Sequence, residues 1–247
     1  MHVKSVLLSL SAILAMAATT AHAVPLIANG NFEQVTNGTN KQLASGTSTT
    51  AANRTTLVGW NSSNGNDGGY NFVLDNATTV ANTGASIVGL KGYTASANGG
   101  NVFASDSQYW PGTLSQAVSG LSVGTSYVLT FDYAMGQQNG FDGANYNNYW
   151  QVTFGNTVKA TSVLTSTDGA FTGWKTATMT FTATSTSQLL SFLAKGDAPG
   201  APPFMLLDGV SMQAAAVPEP STWSLLLGGA GLLGLVVRRR RNGSRKA

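Results

Sequence analysis

The 247-residue chain contains no cysteine, and its two histidines, His2 and His22, both fall within the first 23 residues. Charge is scarce as well: Asp, Glu, Lys and Arg together make up only 9% of the chain. The first absence excludes a disulfide framework, thiolate nucleophiles and cysteine metal sites. The second gains force once the N-terminus is read. A short basic start (His2, Lys4) leads into an apolar run from Val6 to Ala18 and then the small-x-small triplet Ala21-His22-Ala23. That pattern is a cleaved secretory signal peptide over 1–23, because the run is too short to span comfortably and ends on small residues. A buried N-terminal helix would need a polar face, and this stretch has none. The mature chain is expected to start at Val24, with neither histidine nor cysteine. Ser-His-Asp and Cys-His catalysis, histidine general bases and ordinary zinc or copper sites are then excluded.

The formal net charge of +3 is a property of the ends. Six of the 13 basic residues (Arg238 to Arg241, Arg245, Lys246) lie in the last ten positions, and Lys4 lies in the leader. The stretch 24–217 keeps six bases against nine acids, so it is mildly acidic and has no basic patch. Nucleic acid is not an expected partner.

At the C-terminus, Val217-Pro218-Glu219-Pro220-Ser221-Thr222-Trp223 precedes an apolar run from Ser224 to Val237 and the cluster Arg238-Arg239-Arg240-Arg241. The 16 residues from Thr222 to Val237 would make a helix about 24 Å long. That just crosses a hydrocarbon core of about 30 Å if Trp223 sits at one interface and the arginines snorkel at the other. The arginines resist translocation and leave the bulk of the chain outside. The reading is a linker over 214–222, a transmembrane helix over 223–237 and a basic cytoplasmic tail over 238–247. An ordinary single-pass anchor would share these features, although Gly228-Gly229, Gly231 and Gly234 make a poor permanent span. Pro218-Glu219-Pro220 with its short span and arginine cluster resembles the PEP-CTERM sorting signal. The resemblance implies a Gram-negative bacterium, a membrane protease of the exosortase type as partner, and only transient anchoring in the membrane.

Between the targeting elements, 24–213 is rich in Gly, Asn, Ser and Thr and poor in Lys, Glu and Leu, a composition that favours strands and turns. The apolar pattern has period two. Tyr127, Leu129, Phe131 and Tyr133 alternate with Val128, Thr130 and Asp132; Ala177, Met179 and Phe181 alternate with threonines. Gln188 to Ala194 reads as a strand covered on both faces, and Phe204, Leu206, Asp208 and Val210 as the last strand. Turn clusters occupy Asn64 to Gly69, Asn98 to Asn101, Gly120 to Gly124, Gln137 to Asn148 and Gly196 to Pro203. No stretch sustains a helical period. The expected fold is all-β, a single jelly-roll β-sandwich.

Three signatures sharpen that expectation. Asn29-Gly30-Asn31-Phe32-Glu33 is followed by Gly59-Trp60; Leu114-Ser115-Gln116-Ala117-Val118-Ser119-Gly120-Leu121 leads into Gly124 and Tyr127 to Phe131; Leu207-Asp208-Gly209-Val210 closes the domain. Together they resemble the galactose-binding-like jelly rolls that include many carbohydrate-binding modules. The resemblance implies a structural calcium held by Glu33, Asp208 and backbone carbonyls, within the six to eight oxygens calcium takes. It also lacks an element, since a second acid often stands where this chain has Gly209. The plainer alternative is that Glu33 caps a turn and Asp208 bonds to backbone.

Sugar binding in such domains stacks aromatic rings on a pyranose face and hydrogen-bonds its hydroxyls with amides and carboxylates. Tyr109 and Trp110 at a turn, and Tyr146 and Tyr149 beside an Asn-rich loop (Asn139, Asn145, Asn147, Asn148), are the candidates; packing is the competing role. Trp60 and Trp174 read as core or strand-edge residues, and Trp150 as ligand contact or packing. Asp132 and Asp142 are the only acids near that loop that a glycosidase could pair, and an Asp beside a glycine-rich loop is more often turn chemistry. The expected function is an exported, non-catalytic surface or matrix protein that binds exopolysaccharide or matrix components. A carboxylate-dependent glycan hydrolase or lyase and a structural adhesin with protein partners are the alternatives.

Overall fold

Alternation of large apolar side chains with Ser, Thr and Asn makes each strand two-faced, and two such sheets bury their apolar faces against each other. The structure, a computed structural model, describes residues 25–45, 53–65, 67–81, 88–197 and 202–216. The predicted leader 1–23, the Pro218-Glu219-Pro220 motif, the apolar run and Arg238 to Arg241 lie outside the described residues. Thirteen strands are present among those described: β1 (Lys41–Leu43), β2 (Arg54–Thr55), β3 (Asn61–Ser63), β4 (Asn71–Asp75), β5 (Asn101–Asp106), β6 (Thr113–Ser119), β7 (Ser126–Gln137), β8 (Asn145–Phe154), β9 (Thr157–Ala160), β10 (Leu164–Ser166), β11 (Lys175–Thr182), β12 (Ser187–Asp197) and β13 (Pro203–Ala214). A seven-stranded sheet runs β11-β7-β13-β5-β4-β1-β2, and a second runs β10-β8-β12-β6-β3 with β9 paired to β8. From β5 to β8, and again from β11 to β13, each connection crosses between sheets, the winding of a jelly roll.

The main core lies between the sheets. Leu129, Phe131 and Tyr133 of β7 meet Trp150 and Val152 of β8 and Leu190 and Phe192 of β12 in one buried cluster. Phe131 and Phe192 pack edge to face with ring centres 5.2 Å apart. The Trp150 side chain is wholly buried and its indole nitrogen donates to the Leu206 carbonyl at 3.0 Å. Packing, not ligand contact, is the role of Trp150, and Trp60 is also a core residue.

Two expectations are corrected. β12 is not covered on both faces: Gln188, Leu190, Phe192 and Ala194 are buried, while Leu189 on the other face is 54% exposed. No layer covers that face of the second sheet at Leu189, so ordinary one-sided alternation holds there. Gln137 to Asn148 is not all turn either, because Asn145, Tyr146, Asn147 and Asn148 belong to β8.

Two features left no periodic signal. A six-residue helix, α1 (Asn76–Ala81), is started by Asp75, whose carboxylate accepts from the Thr78 amide at 2.8 Å. A second apolar cluster (Phe72, Leu90, Tyr93, Val102, Phe204, Leu206) lies apart from the main core, with Trp174 packed against it. It uses the side chains of β4, β5 and β13 that point away from the sandwich, which is why the first half of β13 is buried on both faces.

Candidate functional site

The connection between β5 and β6 carries the two most exposed aromatic rings that the sequence singles out. Asp106 builds it: its Oδ1 accepts from the amides of Gln108 at 2.8 Å and Tyr109 at 2.9 Å, an Asx-type turn. The turn then forces Trp110 into the left-handed region at φ 49°, a conformation that costs a non-glycine residue about 1–2 kcal/mol. The Trp110 carbonyl accepts from the Tyr70 amide at 2.8 Å and pins the turn to the start of β4. Tyr109 and Trp110 stack with ring planes 9° apart and centres at 5.3 Å. Tyr70 meets Tyr109 edge-on at 5.2 Å and Phe72 edge-on at 4.7 Å, so the pair is backed by the second apolar cluster. Tyr109 is nevertheless 55% exposed and Trp110 66%.

Polar groups surround this platform. The Gln108 amide donates to the Gly196 carbonyl at 2.7 Å, and the Ser107 hydroxyl donates to Asn148 Oδ1 at 2.6 Å. Asp197, next to Gly196, pairs in register with Tyr146 and accepts from the Asn147 amide at 2.6 Å. The ladder slips between Lys195 and Asp197, opposite Asn147 at φ 55°. This irregularity turns Tyr146 and Asn147 outward together while Asn145 and Asn148 stay buried. Tyr149 faces Lys195 in the same ladder. All four predicted aromatics thus lie at one end of the sandwich. Among the described residues, ring contacts join Tyr109 to Trp110 and to Tyr70, and none joins Tyr146 or Tyr149 to them. Tyr70, Asp106, Gln108 and Asp197 escaped the sequence reading; an Asp three residues before Tyr109 is the signal that could have shown the turn. Burial pushes the Asp106 carboxyl up, and the amide bonds from Tyr109 and Gln108 oppose it. Burial first, then the nearby Asp106 charge, raises the Tyr70 phenol.

The family-like motifs meet elsewhere, halfway down the sandwich. Gln116 donates to the carbonyls of Ala28 at 2.9 Å and Gly59 at 2.8 Å and accepts from the Ala28 amide at 2.9 Å. The Trp60 indole donates to the Asn29 carbonyl at 3.1 Å, and the Val210 amide donates to the Gly30 carbonyl at 2.8 Å. A Cβ on Gly30 would stand 1.9 Å from the Val210 carbonyl oxygen, so no larger residue permits that approach. Three motifs distant in sequence form one clamp between the N-terminal segment, β6 and β13.

Glu33 and Asp208 flank this clamp. Glu33 Oε1 accepts from the Asn101 amide at 2.8 Å, and Asp208 Oδ1 accepts from the Gly209 amide at 2.7 Å. Asp208 Oδ2 is buried without a hydrogen-bond partner. Burial pushes the Asp208 carboxyl up to about 6, with Ser96, Gly209 and Asn98 opposing and the Glu33 charge adding to it. Ser96 and Asn98 favour the ionised form by proximity and leave Oδ2 unbonded. An orphaned carboxylate oxygen close to a second carboxylate suits a hard cation. Among the described residues no three His, Cys, Asp or Glu side chains gather, so carbonyl oxygens would have to complete a shell. Gly209 sits at φ 59° with the Asn98 amide 2.7 Å from where a Cβ would be, which explains why no acid stands there.

Asp132 and Asp142 are not arranged as a pair. Asp132 accepts from Thr176 at 2.6 Å and Asn98 at 3.0 Å on β7. Asp142 lies beyond the end of β7 and bridges Lys91 at 3.2 Å. The five residue steps from Asp132 to Gln137 alone span about 17 Å of strand, beyond the separations of about 5–9.5 Å that glycosidase carboxylates use.

Comparison with known proteins gives a match to the PEP-CTERM protein-sorting motif over residues 216–241. No curated protein matches the chain. Among solved structures, TmCBM61 in complex with β-1,4-galactotriose is 14% identical and aligns over 78% of this chain and 100% of its own, with a TM-score of 0.42. A CBM4 structure is 14% identical over 76% of this chain and 99% of its own, with a TM-score of 0.34. The CBM22-1 xylan-binding domain of Paenibacillus barcinonensis Xyn10C is 15% identical over 64% and 87%, with a TM-score of 0.34.

Proposed function

We propose that this chain is an exported, non-catalytic surface or extracellular-matrix protein whose Tyr109–Trp110 end binds exopolysaccharide. Its tail is handed to a membrane protease of the exosortase type, after a transient anchorage through 223–237. The sorting motif at 216–241 supports the second statement. The first rests on one observation, the stacked and exposed Tyr109–Trp110 pair on a strained, hydrogen-bonded turn. A flat apolar platform ringed by Gln108, Asn147 and Asp197 suits the apolar face and hydroxyl rim of a pyranose. Strain held in place by surrounding structure is a mark of functional positions.

Glu33 and Asp208 would hold a structural calcium together with carbonyl oxygens. Bound there, the ion would supply charge neutralisation where the N-terminal segment meets β13. The destination is the cell surface, the outer membrane or the extracellular matrix of a Gram-negative biofilm.

A glycan array probed with the purified exported protein tests the binding reading. Binding to at least one polysaccharide class is expected, with Trp110→Ala at least about tenfold weaker, the loss of roughly one stacking contact and its hydrogen-bond geometry. Trp110→Gly should lose binding equally while leaving the unfolding temperature unchanged or higher, because glycine relieves the left-handed strain. A flat array would leave the structural adhesin as the reading.

A further inference from the structure

Both described ends of the chain leave the sandwich at the end opposite Tyr109 and Trp110. β13 starts at Pro203, level with Gln137, and finishes at Ala214, level with Tyr127. The Ala215 amide still bonds the Ser126 carbonyl at 2.8 Å. The N-terminal residues Pro25, Leu26 and Ile27 line one groove of about 570 Å³ with Val210 to Ala214, Gly120 and Tyr127. The 12 residues of β13 put about 40 Å between the two ends.

Charge is divided between these ends. The connections at the terminus-bearing end are 119–127, 154–157 and 182–189, joined there by 25–28 and 211–216; none of these residues is Asp, Glu, Lys or Arg. Val123, Ser185 and Leu189 are exposed among them. The nearest cation is Lys159, whose Nζ lies 5.2 Å from the Phe181 ring centre. All nine acids of the exported stretch stand in the middle of the sandwich or at the aromatic end, Asp106, Asp142 and Asp197 among the latter.

We infer that the uncharged end rests on the lipid headgroups while the tail is anchored, holding the Tyr109–Trp110 end outward. This rests on the membrane-anchored reading of 223–237. The occupant of this face is a lipid surface because the chain leaves little choice of distance. Only residues 217–223 separate Ala216 from the apolar run at Ser224, a reach of at most about 25 Å. An end without charge gives up no ion hydration against headgroups, and a net-acidic body is repelled by anionic lipids. At about 40 Å, several Debye lengths of about 8 Å, the aromatic end is free of the surface field. The apolar groove beside Leu26 and Met212 adds a shallow contact at the same face.

The absence of cysteine makes the test clean. The full chain is incorporated into nanodiscs of phosphatidylcholine and phosphatidylglycerol, and insertion is checked by co-elution. Single-cysteine variants Val123→Cys, Ser185→Cys and Phe141→Cys carry a fluorophore, and the headgroups carry a nitroxide quencher. Quenching at Val123→Cys and Ser185→Cys with none at Phe141→Cys is expected. A second variant, Ser185→Asp in the Val123→Cys background, should lose quenching in anionic discs and keep more of it in discs of phosphatidylcholine alone. Equal quenching at both ends, or stronger quenching at Phe141→Cys, overturns the orientation. Quenching absent everywhere despite co-elution overturns it too and points to a protein partner on that face. Failure to co-elute sinks the anchoring reading instead, and the glycan array reports separately on the aromatic end.

Discussion

Asp208 is fully buried, yet one of its carboxylate oxygens has no hydrogen-bond partner. The folded chain raises its pKa to about 6, against about 3.9 in an unfolded chain. Between those values the native state holds more protons than the unfolded one. Stability therefore falls as pH rises from about 4 to about 6, the direction for a carboxyl whose folded pKa is raised. In a chelator, calorimetric unfolding temperatures should follow that fall for the wild type and flatten for Asp208→Asn. Added calcium at pH 7 should raise the wild-type temperature by mass action on the native state and leave Asp208→Asn unmoved. A wild type indifferent to calcium would remove the ion from Glu33 and Asp208. The sequence pointed to these two carboxylates through a resemblance; the reason Gly209 replaces an acid, its positive φ against Asn98, needed the backbone.

At the scale of elements, the clamp around Gly30 joins the N-terminal segment to β6 and β13. Gly30→Ala would place a methyl group 1.9 Å from the Val210 carbonyl oxygen. The clamp must open or β13 must shift, and a cost of about 1–3 kcal/mol is expected from such overpacking. Chemical denaturation checks this: the midpoint should drop with an unchanged slope. An unaffected midpoint would mean the segment is not fastened. The strands themselves were legible because period-two patterning survives wherever one face is buried: β7, β11 and β13 all lie where alternation placed them. β12 was over-read because Leu189 is apolar and exposed. An alternating pattern with two apolar residues, Leu189 and Leu193, out of phase resembles a doubly covered strand. The Asn-rich segment was under-read as turn, since asparagine favours turns and it is held extended by tertiary pairing, with Asp197 of β12 on one side and Leu164 and Ser166 of β10 on the other.

At the scale of the whole molecule, the sorting motif at 216–241 and the proposed binding end occupy separate parts of the chain. Intact mass of the native protein checks the first. A C-terminus near Pro220 and an N-terminus at Val24 are expected, whereas a chain still ending at Ala247 would contradict removal of the tail. Added hexose mass would reveal glycosylation, though not at the Asn76-Ala77-Thr78 sequon, where the Asn76 side chain is buried and bonded to Gly99, Tyr93 and Ser96. By itself the sequence determined the sorting motif at 216–241, the acidic balance of 24–217 and the two-layer all-β class, and it predicts a leader that carries both histidines. These depend on composition and on local periodicity, which neighbouring residues carry along the chain. Tertiary structure alone decided that Gly30, Gln116 and Val210 form a clamp, and that Trp150 is core while Trp110 is exposed. It alone placed the charge-free end against the chain's exit, some 40 Å from the aromatic pair. Those facts arise from strands far apart in sequence being set side by side in register, and no pattern within a single strand encodes its neighbour.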